Sequence, residues 1–567
     1  MIKILSFLIL YYFIEYNRAQ ITTKNADWKS FIVNLNEIRA TNKRILSLDG
    51  IEIYSNLTKI DLSVNGIKTI VQLNALIKLK ILNLLKNRIN NIDTIARLIN
   101  LEDINLSNNQ IKTINKFTFE NLTKLTKINL GFNQIESIEN VFDSLFNLKE
   151  LYLNQNMIKN VDFETSLINL EHLNLEANYI DNITSICRLV NLVQIYLGDN
   201  QIENIDCILS NLKRLNGIFM NNNKITGRIE LKNLRNLNIV LLNHNKINNL
   251  SLSEDLKNLR ILYLKNNELT DLDGIQKLNN LIVIDLASNK IELVGNLTQL
   301  TNLLLLDLSF NLIKNIDQLG GLVNLRMLYM NYNQIKNIEV LQNMSQLIDL
   351  ELNGNRITKI DSINNNVNLM ELEISDNYIK DIEILRNFNK SMTKLNLKNN
   401  RILNANVLKH LKLLAYLDLS NNQLTNIDFL PTLSNLVNLH LGNNSITGRL
   451  NLSSLPYLFE CDASFNQNLT MISIPNLSSL KKLKRVTLDS DRFIELDKFG
   501  LNYRFDERKK NKIYNFIEAF YLNTENSFNF DCFRTLNILK KNIHLNLYFH
   551  EQINQFLSKC QSIDLQF

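Results

Sequence analysis

The chain has 567 residues, 45% of them hydrophobic, a formal net charge of +6, and only 14 Gly and 3 Pro. That apolar content suffices for a large core, and the scarcity of Gly and Pro excludes low-complexity linkers and glycine-rich phosphate loops. A charge of +6 over this length is a nearly balanced surface, so nucleic acid is not an expected partner.

At the N-terminus Lys3 precedes a largely apolar run from Ile4 to Ile14, and a small residue, Ala19, stands before Gln20. This is the layout of a signal peptide over residues 1–19; a buried N-terminal helix is the competing reading. A membrane span needs about 20 apolar residues, which this run does not reach. No second such run follows, and the end at Gln561–Phe567 is too short and polar for a GPI signal. The expected mature chain is exported, has no membrane span, starts near Gln20 and carries +5 once Lys3, Arg18 and Glu15 are lost. Residues 20–42 follow as an N-terminal cap, with Trp28, Phe31, Val33, Leu35 and Ile38 as its apolar cover and no cysteine.

From residue 43 to 491 one pattern governs the chain. Leu-x-x-Leu-x-Leu-x-x-Asn occurs as Leu101–Asn109, Leu170–Asn178 and Leu325–Asn333, and 19 copies end in asparagines from Asn65 to Asn466, mostly 22 residues apart. A degenerate copy ends near Asp491, and a worn one precedes the series around Leu46–Leu48. The Leu-x-Leu alternation predicts a short strand with its leucines inward. The asparagine, both donor and acceptor, predicts a ladder that satisfies turn backbone between adjacent coils. The following x-Ile-x-x-Ile-x-x-Leu, as in Asn333–Leu341, suits a 3₁₀ or one-turn helical return. One such coil cannot bury its own apolar face, so coils must stack. Two copies depart from the pattern alike, Ile225-Thr-Gly-Arg-Ile229 and Ile446-Thr-Gly-Arg-Leu450, ten repeats apart; block duplication and coincidence explain this equally well.

These residues resemble the leucine-rich-repeat family, specifically its 22-residue class, found in a protein phosphatase regulatory subunit and in bacterial internalins. The resemblance implies an α/β solenoid: a right-handed horseshoe with a parallel β-sheet on the concave face, 3₁₀ or short helical turns on the convex face, and terminal caps. It implies binding of a partner without naming one.

Residues 492–567 lose the repeat and hold Cys532 and Cys560 as a C-terminal cap. The stretch Phe530–Leu539 is similar to the cysteine-anchored end cap of secreted, particularly arthropod, leucine-rich-repeat proteins. Five cysteines in an exported chain invite pairing. Cys187 and Cys207 follow their ladder asparagines on the return side of consecutive coils, which predicts a Cys187–Cys207 disulfide beside Cys532–Cys560. Cys461 takes a strand-leucine position and is expected to be a buried thiol. Twelve Asn-x-Ser/Thr sequons are present, close to the chance number in so asparagine-rich a chain, so they carry no argument for secretion; in an exported chain several are expected to carry glycans.

No catalytic, metal or cofactor residues are expected. His172 and His244 stand three coils apart, about 14 Å at strand spacing, and His440 is nine coils further on. No Cys-x-x-Cys, nucleophile elbow or phosphate loop occurs, and His544 and His550 fall in the cap. The basic cluster Lys481, Lys482, Lys484 and Arg485 reads better as a solvated edge than as a polyanion site.

The expected site is the concave face, where positions three, five and seven of the motif face out. Position five carries Tyr196, Phe219, Leu241 and Tyr263 on consecutive coils, and position three carries Ile239, Ile261, Val283, Leu305 and Met327, with Tyr329 and Tyr332 beside the last. An acidic block follows: Asp349, Glu351, Glu371, Glu373 and Asp376. An apolar stripe with aromatic anchors marks a protein-binding surface; strand propensity alone is the competing explanation. The leading expectation is a secreted, non-enzymatic recognition protein in innate immunity, adhesion or signalling. Alternatives are an intracellular phosphatase-regulating scaffold, and a secreted effector or venom-type protein acting on a host receptor.

Overall fold

The computed structural model describes residues 26–34, 36–163, 167–272 and 274–474, with the strands Arg485–Thr487, Phe493–Leu496 and Leu501–Asn502. The expected leader, the Cys532–Cys560 pair with the rest of the C-terminal cap, His544, His550, Leu35 and the three lysines of the basic cluster lie outside the described residues. The chain divides into two units, Met1–Ile357 with Asp361–Asn366, and Thr358–Ile360 with Val367–Phe567.

Each motif copy forms one coil. Its three apolar anchors turn inward, as Leu259, Leu262 and Leu264 do with no exposed surface. Positions three to five form a three-residue strand whose middle residue is buried and whose outer two are half-buried, as in Ile261–Tyr263. In the first unit 15 such strands run parallel from Glu37–Arg39 to Asp349–Glu351. In the second, six run parallel from Glu371–Glu373 to Arg485–Thr487. The first unit opens on Ile32–Asn34, paired antiparallel to Glu37–Arg39, which occupies a sheet edge that would otherwise be open. Trp28 is buried and donates its indole N–H to Asp49 O at 2.9 Å. Among the described cap residues named above, Trp28 and Ile38 are buried, and Val33 is 57% exposed. The edge is closed there by backbone pairing more than by apolar cover.

Asparagine holds the coils together in a repeating way. The Asn289 amide donates to Leu264 O of the preceding coil (2.9 Å) and to Leu286 O and Ala287 O of its own (3.0 and 3.3 Å). Its carbonyl accepts the Leu269 N–H at 3.0 Å. The same four bonds recur at Asn109, Asn178 and Asn422. A second asparagine row, just before the first leucine of a copy, binds a carbonyl of the preceding coil: Asn169 to Phe146 O (2.7 Å), Asn280 to Lys257 O (2.7 Å), Asn324 to Thr301 O (2.8 Å).

The return segments are mostly 3₁₀ helices, such as Asp93–Arg97, Glu339–Asn343 and Glu383–Phe388, with one short α-helix at Asp206–Asn211. The two Thr-Gly-Arg copies break this rule in one way. Thr226–Leu231 pairs in parallel with Lys246–Leu252 in the first unit, and Gly448–Asn451 with Leu469–Ile474 in the second. Each pair carries an irregularity directly after its glycine, and Gly227 and Gly448 have φ of 77° and 78°. Only glycine adopts that backbone cheaply, and it turns the return into an extended segment. In place of the expected helical turn, these coils carry a second small sheet.

Candidate functional site

The solvent side of the first unit's sheet brings the predicted residues together. At position three Ile239, Ile261, Val283, Leu305 and Met327 sit in direct cross-strand register. At position five Tyr196, Phe219, Leu241 and Tyr263 do the same. Gly217 opens the position-three column, and its missing side chain makes room for an aromatic: a Cβ there would stand 2.5 Å from Phe219 Cε2. The Phe219 ring lies over this gap and stacks on Tyr196 at 4.3 Å between centroids. The two columns thus form one apolar band across seven consecutive coils, from Tyr196 to Met327.

The band differs from expectation in three respects. Its members are half-buried, because neighbours one strand spacing apart cover one another; Met327 alone is classed as exposed, at 38%. Position five changes character past Tyr263: Asp285 and Asp307 are in register between Tyr263 and Tyr329. Partial burial pushes the Asp285 carboxyl above its ordinary value, against the Ala287 N–H it accepts at 3.1 Å, and Asp307 adds to the rise. Position seven faces out only partly, since Ser107, Ala287, Ser309 and Ser375 are all buried there.

Tyr332 belongs to position eight, where every copy bends. The residue before each ladder asparagine has positive φ, from Val64 (59°) through Ser288 (56°) to Phe465 (55°), with Gly354 (66°) as the single glycine of the column. That bend lifts the side chain away from the coil, so Tyr332 is 50% exposed and stacks on Phe310 at 4.6 Å.

The acidic block divides between the units. In the first, Asp349 accepts the Tyr329 hydroxyl at 2.9 Å and Glu351 accepts the Asn331 amide at 2.6 Å. Burial, then the Asp349 bond, pushes the Tyr329 phenol up. In the second, Lys394 Nζ lies 2.6 Å from Glu373 and 3.3 Å from Glu371, and the Glu373 carboxylate raises the lysine in turn. Glu371 and Glu373 are therefore already matched by a cation of the chain, and Asp376 sits at position eight with φ 54°.

Cys187 and Cys207 form a disulfide between consecutive coils with Cα atoms 5.7 Å apart. Cys461 is a buried free thiol, which burial pushes up to about 12. Among the described residues no group of three or more His, Cys, Asp or Glu side chains could hold a metal ion. No described helix is long and apolar enough to cross a membrane.

A rim feature escaped the sequence reading. Position two carries Arg260, Ile282, Leu304 and Arg326 on consecutive coils of the first unit, and these four line a shallow groove with Asn280, Asn302 and Asn324. The motif treats position two as a spacer, so its signal was visible only by reading that column down the chain.

Comparison with known proteins places this geometry. The family model described as "Leucine rich repeat" matches residues 99–158, and that described as "Leucine Rich repeats (2 copies)" matches 147–188, 257–300, 301–343 and 323–366. No curated protein matches the chain. Among solved structures, a plant peptide hormone receptor, RGFR1 in complex with RGF2, is similar at 22% identity over 83% of this chain and 80% of that one, with a TM-score of 0.64. The Arabidopsis receptor kinase HAESA, in complex with the peptide hormone IDA and the co-receptor SERK1, is similar at 22% identity over 86% and 95%, with a TM-score of 0.60. A leucine-rich-repeat protein of Leptospira interrogans is similar at 22% identity over 68% and 90%, with a TM-score of 0.52. At such identities the likeness is one of fold.

Proposed function

The chain belongs to the leucine-rich-repeat family, and from that premise we propose that it is an exported, non-enzymatic recognition protein that binds another protein through the sheet face of its first unit. The observation that carries this reading is the band from Tyr196 to Met327, one apolar surface held in register over seven coils. Bands of this kind supply the desolvated centre of a protein interface, with aromatics as anchors. That the solved structures it resembles include receptors holding peptide hormones is in keeping with such a use. The Cys187–Cys207 disulfide favours an oxidising compartment, and so the exported reading over an intracellular scaffold. Innate immunity, adhesion and signalling are the settings in which such a protein acts; a secreted effector acting on a host receptor is the same chemistry in another setting.

The test is affinity capture from native extracellular fluid, followed by binding of the captured protein to Tyr263→Asp combined with Met327→Asp. Lys124→Asp, on the return side, is the control. A folded double variant that binds normally refutes the sheet-face site, and N-terminal sequencing that finds Met1 retained in the mature protein refutes export through a cleaved leader.

A further inference from the structure

The rim groove beside the apolar band gives the partner a chemistry. Arg260, Ile282, Leu304 and Arg326 are neighbours on four successive coils, fixed by the backbone ladder: Ile282 N–H donates to Arg260 O (2.8 Å), Leu304 N–H to Ile282 O (2.9 Å) and Arg326 N–H to Leu304 O (3.0 Å). Both arginines are exposed, and neither guanidinium has an ion-pair or hydrogen-bond partner among the described residues. They stand three strand spacings apart, about 14 Å. Between them lie two apolar side chains, Ile282 half-buried and Leu304 37% exposed. Along the outer wall Asn280, Asn302 and Asn324 commit their amide N–H groups to the preceding coil, at 2.7, 3.0 and 2.8 Å. Their amide oxygens accept nothing among the described residues and remain as a row of acceptors on the groove wall.

We propose that this groove seats an extended polypeptide segment of the partner, laid along the stacking direction, with two acidic residues four positions apart and an apolar residue midway between them. The spacing follows from geometry. An extended chain advances about 3.3 Å per residue and turns alternate side chains to one side, so residues i, i+2 and i+4 face the groove together and i to i+4 spans about 13 Å. The outer two meet Arg260 and Arg326, each able to take a carboxylate in the two-pronged geometry a guanidinium favours. The middle one meets Ile282 and Leu304, and the segment's backbone N–H groups face the asparagine oxygens, which supply the acceptors they need. On the far side of the band Asp285 and Asp307 repel an acidic segment, which confines it to the arginine rim and fixes which way round the partner sits.

The inference rests on the proposed sheet-face binding, and it is tested by selecting random displayed dodecapeptides on the full chain. The expected result is at least tenfold enrichment, over the unselected library, of Asp or Glu four positions apart with Leu, Ile, Val or Phe midway. The enriched peptides should lose at least tenfold in affinity for Arg260→Glu combined with Arg326→Glu and stay within a few-fold for the paired lysine variant. A selection that yields no binders, binders without that spacing, or binders indifferent to the glutamate pair overturns it. The two readings fail separately: a captured partner that is released by Tyr263→Asp with Met327→Asp but not by the glutamate pair leaves the sheet face standing and removes only the groove.

Discussion

Replacing Asn289 by Ala tests the ladder at the level of single bonds. The two carbonyls of position six each receive two amide donors: Leu264 O keeps Asn267 and Leu286 O keeps Asn311 when Asn289 is gone. The Leu269 N–H has only the Asn289 carbonyl, and Leu269 is buried. One buried donor left unsatisfied costs on the order of 1–3 kcal/mol, so the variant should lose about 2 kcal/mol locally. Lys290→Ala removes a 2.8 Å pair with Glu268 in which both side chains are largely exposed, and a pair so screened by solvent leaves stability nearly unchanged. Asn289→Asp separates the amide's two ends. Its carboxylate keeps an acceptor for Leu269 but turns a negative charge toward three carbonyls. The charged form is disfavoured in the fold, so this variant should be the least stable near neutral pH and recover as pH falls and the acid protonates, becoming a donor again. Repeat arrays need not unfold in two states, so the readout is hydrogen exchange at the Leu269 amide beside a global denaturation curve. Equal effects of Asn289→Ala and Lys290→Ala, or no acid recovery for Asn289→Asp, would refute the ladder's register.

The backbone at position eight makes a second prediction. Val64→Gly relieves a β-branched residue held at φ 59°; the strain of about 1–2 kcal/mol for such a residue exceeds the entropy glycine forfeits, about 0.5–1 kcal/mol, so the variant should be more stable. Asn108→Gly, where asparagine already tolerates φ 56°, should gain less, and a destabilised Val64→Gly in chemical denaturation would contradict the assignment of strain. For the cysteines, peptide mapping without reduction should recover Cys187 linked to Cys207, and Cys461 should resist thiol reagents until the chain unfolds; quick labelling of Cys461 in the native protein counts against its burial. Cys207→Ser opens a loop of 20 residues and should lose about 3 kcal/mol.

Much of the fold could be read from the sequence because one residue type does one job per coil. Leu262 and Asn289 each recur 22 residues on as Ile284 and Asn311, and both positions are set by packing and bonding that every coil repeats. The apolar columns of the sheet face were legible for the same reason, as period alone brings Ile239 beside Ile261. What period could not supply was the interaction between columns. Asp285 and Asp307 interrupt position five, but they belong to a spacer position whose identity the motif leaves free. The pairing of Lys394 with Glu371 and Glu373 crosses coils, so a block of acids that looked unmatched along the chain is matched in space. The Thr-Gly-Arg copies were visible as an anomaly, yet their meaning depends on the following coil also forming a return strand, which Lys246–Leu252 does without any such signature of its own.

Position eight was partly legible and partly hidden. Ten of its 19 residues are types that favour a left-handed backbone, six Asn, two Asp, His244 and Gly354, but Val64, Lys86, Phe132, Ala177 and Ser288 do not, and valine is among the least suited to it. The conformation is imposed from outside. The N–H of residue eight donates to the carbonyl of position seven on the next coil, as Val64 does to Leu85 O (2.7 Å) and Ser288 to Ser309 O (2.8 Å). One residue later the ladder asparagine is fixed by its bonds to two coils. With both sides of the peptide committed, the chain reverses between them only by taking φ near 55°, whatever side chain is present. At coils such as those of Val64 and Phe132, local strain is thus carried by bonds that exist only once the neighbouring coil is in place, which adds to the unburied apolar face of one coil as a reason that a single repeat cannot fold alone.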